Sequence, residues 1–185
     1  MKYSQPEKLQ IMMLCEIYRA LDIKDSFDPN LIEDAVTSDN YWALEWEYPS
    51  LESEDETPED VKLFVDTYDM YDILKYTYER FSEDDKSEVS SSIAHFSAPH
   101  SISFPGFDGN NESNFLTIGR MLKTMGRFAG KEDLTKNSHM PSVEIYRRML
   151  EVFLPARANR WTHDVGIPKE DFINTLNARV HPDNR

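Results

Sequence analysis

Histidine and arginine occur close together at two places in the chain, and these side chains could carry acid–base chemistry. The first place is His139, which precedes a predicted helix, while Arg120 and Arg127 lie on an earlier one. A histidine beside arginines can act as acid or base on a phosphodiester while arginine stabilises the developing charge. The alternative, which we favour, is a loop histidine that makes ordinary hydrogen bonds.

The second place is the segment 157–163, which reads RANRWTH. An arginine, a polar residue and then a histidine resemble the short signature of HEPN-type ribonucleases, helical domains that usually dimerise to form the active site. The resemblance implies a metal-independent ribonuclease in which Arg157 and His163 are catalytic. However, the segment follows Pro155, where we expect a helix to have ended, and the signature belongs at a helix end or in the turn it enters.

Other kinds of site lack the residues they need. Cys15 is the only cysteine, which excludes an intramolecular disulfide and a cysteine zinc site, and its apolar neighbours predict a buried, inert thiol. The five histidines include no helical i, i+4 pair, and the acids at 83–85 lack EF-hand spacing. No Walker loop, dinucleotide-binding turn or nucleophile elbow occurs. We therefore expect no metal site and no cofactor.

The net charge of −14 is unevenly distributed along the 185 residues. Residues 1–100 hold 24 acidic and 8 basic side chains, whereas residues 101–185 hold 10 and 12. Helical spacing predicts that three of the basic residues share one helix face, with two more on a neighbouring helix. This candidate anion- or partner-binding face consists of Arg120, Lys123, Arg127, Arg147 and Arg148.

Two interpretations of these basic residues remain open. The functional one is a binding surface for RNA, for a phosphate or for an acidic protein. The other, which we favour, is that they contact the acidic half, within one molecule or between two copies, because the overall negative charge repels polyanions.

Length and composition predict one soluble domain spanning residues 1–185. Hydrophobic residues make up 39% of the chain, which is enough for a core and too much for a disordered protein. The longest apolar stretch, 11–15, is too short to cross a membrane, and polar residues precede it, unlike in a secretory signal. We expect a cytoplasmic protein with no membrane partner.

Apolar spacing and capping residues predict an all-α fold of six or seven helices. The longest, at 57–81, carries an aromatic stripe that we interpret as core rather than as a cofactor or base-stacking surface. Residues 41–48 alternate, which fits either a short strand or a helical packing element. The stretches 49–58 and 82–105 look like connectors. The helices are expected at about 6–20, 28–38, 57–81, 110–125, 142–155 and from 168 onward.

A glycine-containing motif turn lies at Gly106, Phe107 and Asp108. Its glycine permits backbone angles that other residues avoid, and its aspartate can bind local amides. The helix start that follows could bind an anion. Because Asp108 and Glu112 would compete for those N–H groups, we favour a structural turn.

Four segments, in this order and spacing, carry a family resemblance. They are DMY with Leu74 at 69–74, FPGFD with Glu112 and Phe115 from 104, Arg120 with GRF at 126–128, and the segment 141–150. Together they resemble the bacterial YfbU family of small, mainly helical proteins. The resemblance implies an all-helical cytoplasmic protein that self-associates, and it brings no established catalytic residues.

Two functional hypotheses follow. Because no complete catalytic motif occurs, the leading one is a non-enzymatic interaction or regulatory protein that forms a homodimer or larger even assembly. The alternative is a ribonuclease that uses His163 or His139 with Arg157 or Arg127. The charge pattern further predicts that association weakens as salt rises.

Overall fold

The computed structural model describes residues 3–24, 26–51, 56–181 and 183. Two 3-10 turns, Pro49–Leu51 and His100–Ile102, accompany the α-helices. The described residues contain no strand, only the isolated bridges Phe107–Asn137 and Thr162–Gly166. The predicted all-α class is therefore confirmed. The helices are α1 (Gln5–Ala20), α2 (Pro29–Thr37), α3 (Trp42–Glu47), α4 (Glu59–Arg80), α5 (Glu83–Ser92), α6 (Ser113–Thr124), α7 (Val143–Arg160) and α8 (Lys169–Asn177).

Residues 41–48 contain helix α3, so the strand interpretation is wrong. The four consecutive residues 41–44 are buried, which a strand with one solvent face would not allow. Helical spacing brings the Trp42 and Trp46 rings into an edge-to-face contact at 5.2 Å. The Trp42 indole also donates a hydrogen bond to Asn40 Oδ1 at 2.9 Å.

The connector predicted at 82–105 contains helix α5, which the sequence pattern did not predict. The Ser82 hydroxyl caps α5 by accepting a hydrogen bond from the Asp85 amide at 3.1 Å. Lys169 pairs with both Asp85 and Glu88 of α5. These long-range contacts hold a helix in which only Val89 is buried.

The end of α7 also differs from the prediction, whereas that of α6 agrees with it. Helix α7 does not end at Pro155 but continues to Arg160, because buried Phe153 and Ala156 keep both sides of the proline packed. Helix α6 ends at Thr124 in a Schellman motif, in which the Gly126 amide donates to the Lys123 carbonyl and the next amide to that of Leu122.

The chain contacts separate into two compact units. The first unit is Met1–Val61 with Asn114–Thr135, and the second is Lys62–Ser113 with Lys136–Arg185. That the whole chain forms one domain stays a prediction.

The second unit has an aromatic core around helix α4. Phe64, Tyr68, Tyr71 and Leu74 of this helix are all buried. Ring centroids lie 5–6 Å apart, with mostly edge-to-face geometry, across Phe64, Tyr68, Tyr71, Phe104, Phe107 and Tyr146. The prediction of a long helix whose aromatic stripe forms core is confirmed.

Candidate functional site

Helix α1, in the first unit, presents a row of apolar side chains to solvent. Leu9, Met13, Ile17 and Leu21 are exposed to 58%, 56%, 53% and 65%. Spacings of four residues place them on one helix face. We call these four residues the α1 stripe.

Polar contacts on the other side of α1 hold the stripe outward. The Lys8 ammonium lies 2.6 Å from an Asp39 carboxylate oxygen. Near the other end of the helix, Arg19 binds Asn30 and Glu33 of α2. Because Lys8 and Arg19 bind other segments near the two ends of one helix face, the stripe on the opposite face is exposed to water.

Cys15 lies on the packed side of α1 and is 4% exposed. Burial raises the pKa of its thiol, so the uncharged form dominates at neutral pH. The prediction of a buried thiol is confirmed, and a protonated thiol is a weak nucleophile.

A shallow apolar groove of about 200 Å³ runs beside the α1 stripe. Phe27 stands at its rim with 47% of its surface exposed, and Leu14 at 61%. A groove of this size can accept one large apolar side chain. It is lined by Ile11, Leu14, Cys15, Tyr18, Phe27, Pro29 and Ile32.

Three residues of the predicted basic face belong to the first unit, and each has a partner within it. That the five residues form a binding face stays a prediction. Arg127 lies beyond the end of α6 and donates to the Trp46 carbonyl at 3.2 Å. Arg120 lies 4.0 Å from an Asp34 carboxylate, and Lys123 lies 3.4 Å from one of Asp133.

The two α7 residues of the predicted basic face, Arg147 and Arg148, belong to the second unit and also have partners. Arg147 lies 3.7 Å from a Glu144 carboxylate. Arg148 donates to the carbonyls of Ala178 and Arg179 at 3.3 and 3.1 Å, which closes the C-terminal end of α8. The Arg148 side chain therefore positions the segment that follows α8.

The C-terminal end of α7 places the candidate catalytic residues Arg157 and His163. Arg157 lies in its last turn, where the guanidinium is 2.9 Å from an Asp66 oxygen and 3.7 Å from one of Asp69. His163 lies in the turn after the helix, and its ring centroid is 6.4 Å from that of Tyr76. The guanidinium charge is therefore balanced by two carboxylates.

His139 and Arg127, the other candidate pair, belong to different units. The His139 backbone has φ +57°, and its amide donates to Asn137 Oδ1 at 2.8 Å. This backbone angle and this hydrogen bond place His139 in a loop turn.

The motif turn Gly106–Asp108 is built into the second unit. A Cβ placed on Gly106, where φ is +92°, would lie 2.0 Å from the Lys136 carbonyl oxygen. The Tyr146 hydroxyl donates to the Gly106 carbonyl at 2.6 Å, and Phe107 is fully buried. Hydrogen bonds from the Asn110 amide and the Asn111 side chain hold the pKa of Asp108 below its usual range.

Glu112 is a buried carboxylate that the sequence pattern did not single out as an anchor. It accepts hydrogen bonds from the Asp108, Ser142 and Val143 amides at 2.8–2.9 Å and from the Ser142 hydroxyl at 2.8 Å. Burial alone would raise its pKa, but the amides of Val143 and Asp108 and the two Ser142 donors together lower it. Glu112 therefore binds N–H groups at the start of α7, whereas at the predicted anion site Asp108 accepts the Asn110 amide at 3.0 Å.

No group of three or more His, Cys, Asp or Glu side chains is arranged to hold a metal ion within the part of the chain that the structure describes. In the same residues, no helix combines the length and apolar character required to span a bilayer.

The fold and surface described above define a small all-α protein with an apolar helix face open to solvent. A family model for the YfbU domain matches residues 1–164, so the chain belongs to the YfbU family. It is also 29% identical to the UPF0304 protein MJECS11 of Methanocaldococcus jannaschii over 132 residues, which cover 67% of this chain and 71% of that protein. The family resemblance carried by the four motifs is confirmed.

Proposed function

We propose that this protein is a non-enzymatic interaction protein that pairs with a second copy of itself through the α1 stripe. The observation that carries the proposal is the stripe itself, four large apolar side chains that are each more than half exposed. Contiguous apolar patches of this kind are uncommon on monomers and mark interaction surfaces.

The exposed apolar area is close to what a stable dimer needs. Leu14, Ile23 and Phe27 of the same unit are also exposed, to 61%, 45% and 47%. At about 100 Å² each, the seven side chains present about 700 Å², against the roughly 800 Å² per partner that a standard interface buries.

The spacing of the stripe favours a second copy as its occupant. In an antiparallel pair with a two-fold axis near residue 15, Leu9 faces Leu21 of the second copy and Met13 faces Ile17. The same four side chains therefore supply both halves of the contact. Leu14 of one copy can enter the groove beside Phe27 of the other.

Charge favours the antiparallel arrangement over the parallel one. A parallel pair would set Glu7 of one copy against Glu7 of the other. The antiparallel pair instead brings Glu7 near Lys24 of the second copy, and the two helix dipoles oppose each other favourably.

The charge pattern predicted that self-association weakens as salt rises. For an apolar interface we expect the opposite. The prediction from the charge pattern needed a free basic face, and those basic side chains already bind partners in their own chain. Two copies of net charge −14 repel each other. Salt screens this repulsion, so association should hold or strengthen as salt rises from about 0.05 to about 0.5 M.

Light scattering of two matched variants tests the proposal. Ile17→Glu places a charge in the middle of the stripe, and Val165→Glu makes the same change at a residue of the second unit that is 59% exposed. We expect a dimer for the native chain and for Val165→Glu, and a monomer for Ile17→Glu. A monomeric native chain at micromolar concentration in both salts would overturn the proposal.

A ribonuclease is the second candidate function, and the observation that favours it is the position at which α7 ends. Because this helix continues to Arg160, Arg157 lies in its last turn and His163 in the turn that follows, as the HEPN signature requires. The aspartates at Arg157 weigh against it, since they neutralise the charge that would stabilise a transition state. Cleavage of single-stranded RNA in EDTA that is lost in His163→Ala would support it, and no cleavage by the native chain would remove it.

A further inference from the structure

A cavity of about 310 Å³ in the second unit lies outside everything described so far. It lies between the segment 93–101, which leads out of α5, and the segment 176–180, which ends α8. Its size is at the lower end of the roughly 300–1,000 Å³ of small-molecule sites.

Three basic side chains converge on this cavity. His95, His100 and Arg179 line it, together with the hydroxyl-bearing Ser97 and Ser101. Among the described lining residues, none carries a carboxylate. In a chain of net charge −14, counted with neutral histidines, the Arg179 charge without a lining carboxylate makes this cavity a local positive site.

Hydrogen bonds hold Arg179 and the loop that carries the two histidines in place. The Arg179 guanidinium donates to the Ser101 carbonyl at 3.2 Å, which ties the two walls together. The Ser101 hydroxyl accepts a hydrogen bond from the Ser97 amide at 3.0 Å and closes the loop between them. Arg148 holds the Arg179 carbonyl from outside the cavity. The histidine loop and the arginine are thus placed before any ligand arrives.

The remaining lining is apolar. Leu176 and Ile93 are buried at 1% and 8% exposure, and Val180 is 40% exposed. A ligand that fits both parts has an anionic group for the basic side chains and a small apolar body for this wall.

We propose that this cavity binds a small phosphomonoester, with Arg179, His95 and His100 on the phosphate and Ile93, Leu176 and Val180 on its organic part. Guanidinium binds phosphate oxygens with paired, charge-assisted hydrogen bonds. An imidazole adds a donor and a positive charge when it is protonated, which histidine does between about pH 5 and 8. The titratable and charged side chains that line the cavity are these three alone among the described residues. The inference is independent of the α1 stripe, which belongs to the first unit.

Titration of the full chain by NMR with inorganic phosphate and with phenyl phosphate tests the site. We expect amide shifts confined to 93–101 and 176–180, and tighter binding of phenyl phosphate than of inorganic phosphate. Equal affinity for both would overturn the role of the apolar wall, and shifts spread over other basic residues would overturn the site.

One variant and one matched control test whether Arg179 binds the phosphate. Arg179→Gln should weaken phenyl phosphate binding about tenfold, because one charge-assisted interaction is lost. Arg147→Gln removes the same charge elsewhere in the second unit and should leave affinity unchanged. Equal weakening by both would show a general charge effect and would refute the site.

Histidine is tested separately, because Arg179→Gln also removes a structural hydrogen bond. Because the His100 side chain is exposed, the melting temperature of His100→Gln should match that of the native chain. Sulfate, whose charge is constant between about pH 6 and 8, should bind the native chain more tightly at the lower pH. A pH dependence that His100→Gln and His95→Gln leave unchanged would contradict the assignment.

Discussion

Replacing Glu112 with glutamine tests how the motif turn is fastened to helix α7. One carboxylate oxygen accepts the Ser142 and Val143 amides, and the other accepts the Asp108 amide and the Ser142 hydroxyl. A glutamine keeps the shape but has only one carbonyl oxygen. If that oxygen serves the two α7 amides, the side-chain NH₂ faces the Asp108 amide, and two donors meet.

The expected loss of stability follows from these bonds. An unsatisfied buried donor costs about 1–3 kcal/mol, and the charge assistance of the remaining bonds is lost as well. We therefore expect Glu112→Gln to lower the free energy of unfolding by about 3 kcal/mol. Glu144→Gln is the matched control, because its side chain is 80% exposed and its ion pair with Arg147 contributes only about 0–1 kcal/mol.

Urea denaturation followed by circular dichroism at neutral pH measures both variants. The lowered pKa of Glu112 adds a second readout. The stabilising contribution of the ionised Glu112 is present above the unfolded-chain pKa of about 4.3 and is lost as pH falls through the lower pKa of the folded chain. Acid should therefore reduce the free energy of unfolding of Glu112→Gln less than that of the native chain. A loss below about 1 kcal/mol, or one equal to that of Glu144→Gln, would refute the role of Glu112.

Two more substitutions test the core of the second unit. Gly106→Ala should cost more than about 3 kcal/mol, because its Cβ would meet the Lys136 backbone, whereas Gly130→Ala, with φ +80° and nothing within 4 Å, should cost only about 1–2 kcal/mol of backbone strain. Similar losses for the two in thermal unfolding would contradict the close approach at Gly106. Tyr71→Ala should cost about 3–5 kcal/mol as a buried aromatic side chain is lost. Burial raises the pKa of Tyr71 to about 12. The stabilising contribution of the neutral phenol is therefore full below the unfolded-chain pKa of about 10 and is lost as pH rises from about 10 to about 12. Tyr71→Phe should remove this fall in the free energy of unfolding between those two pH values.

The sequence predicts helix α4 well because the information for it is local. Thr57, the acids at 59–60 and an apolar residue every three or four positions define the start and the buried face without reference to the rest of the chain. The cap at Asp28, whose side chain accepts the Asn30 amide at 2.8 Å, is predictable for the same reason.

Helix α5 and the end of α7 depend on residues distant in sequence. Polar side chains cover α5 except at Val89, so its apolar period is weak, and the Lys169 ammonium that pairs with it comes from α8. Pro155 is a local stop signal that packing of its neighbours overrides.

The candidate sites were the least predictable part. Four-residue spacing shows that α1 has an apolar face, but whether that face is buried depends on Lys8, Arg19 and their partners in other segments. Likewise, His95 and His100 show no metal-binding spacing, and Arg179 joins them only when the end of α8 meets the loop after α5.

Cross-linking between two cysteine variants tests the pairing of α1 most directly. In a Cys15→Ala background, Leu9→Cys and Leu21→Cys are prepared separately and then mixed under mild oxidation. Antiparallel pairing places residue 9 of one copy against residue 21 of the other, so a disulfide-linked dimer should form rapidly in the mixture and slowly in either variant alone. Equal cross-linking in the single variants, or none in the mixture, would contradict self-association through the α1 stripe.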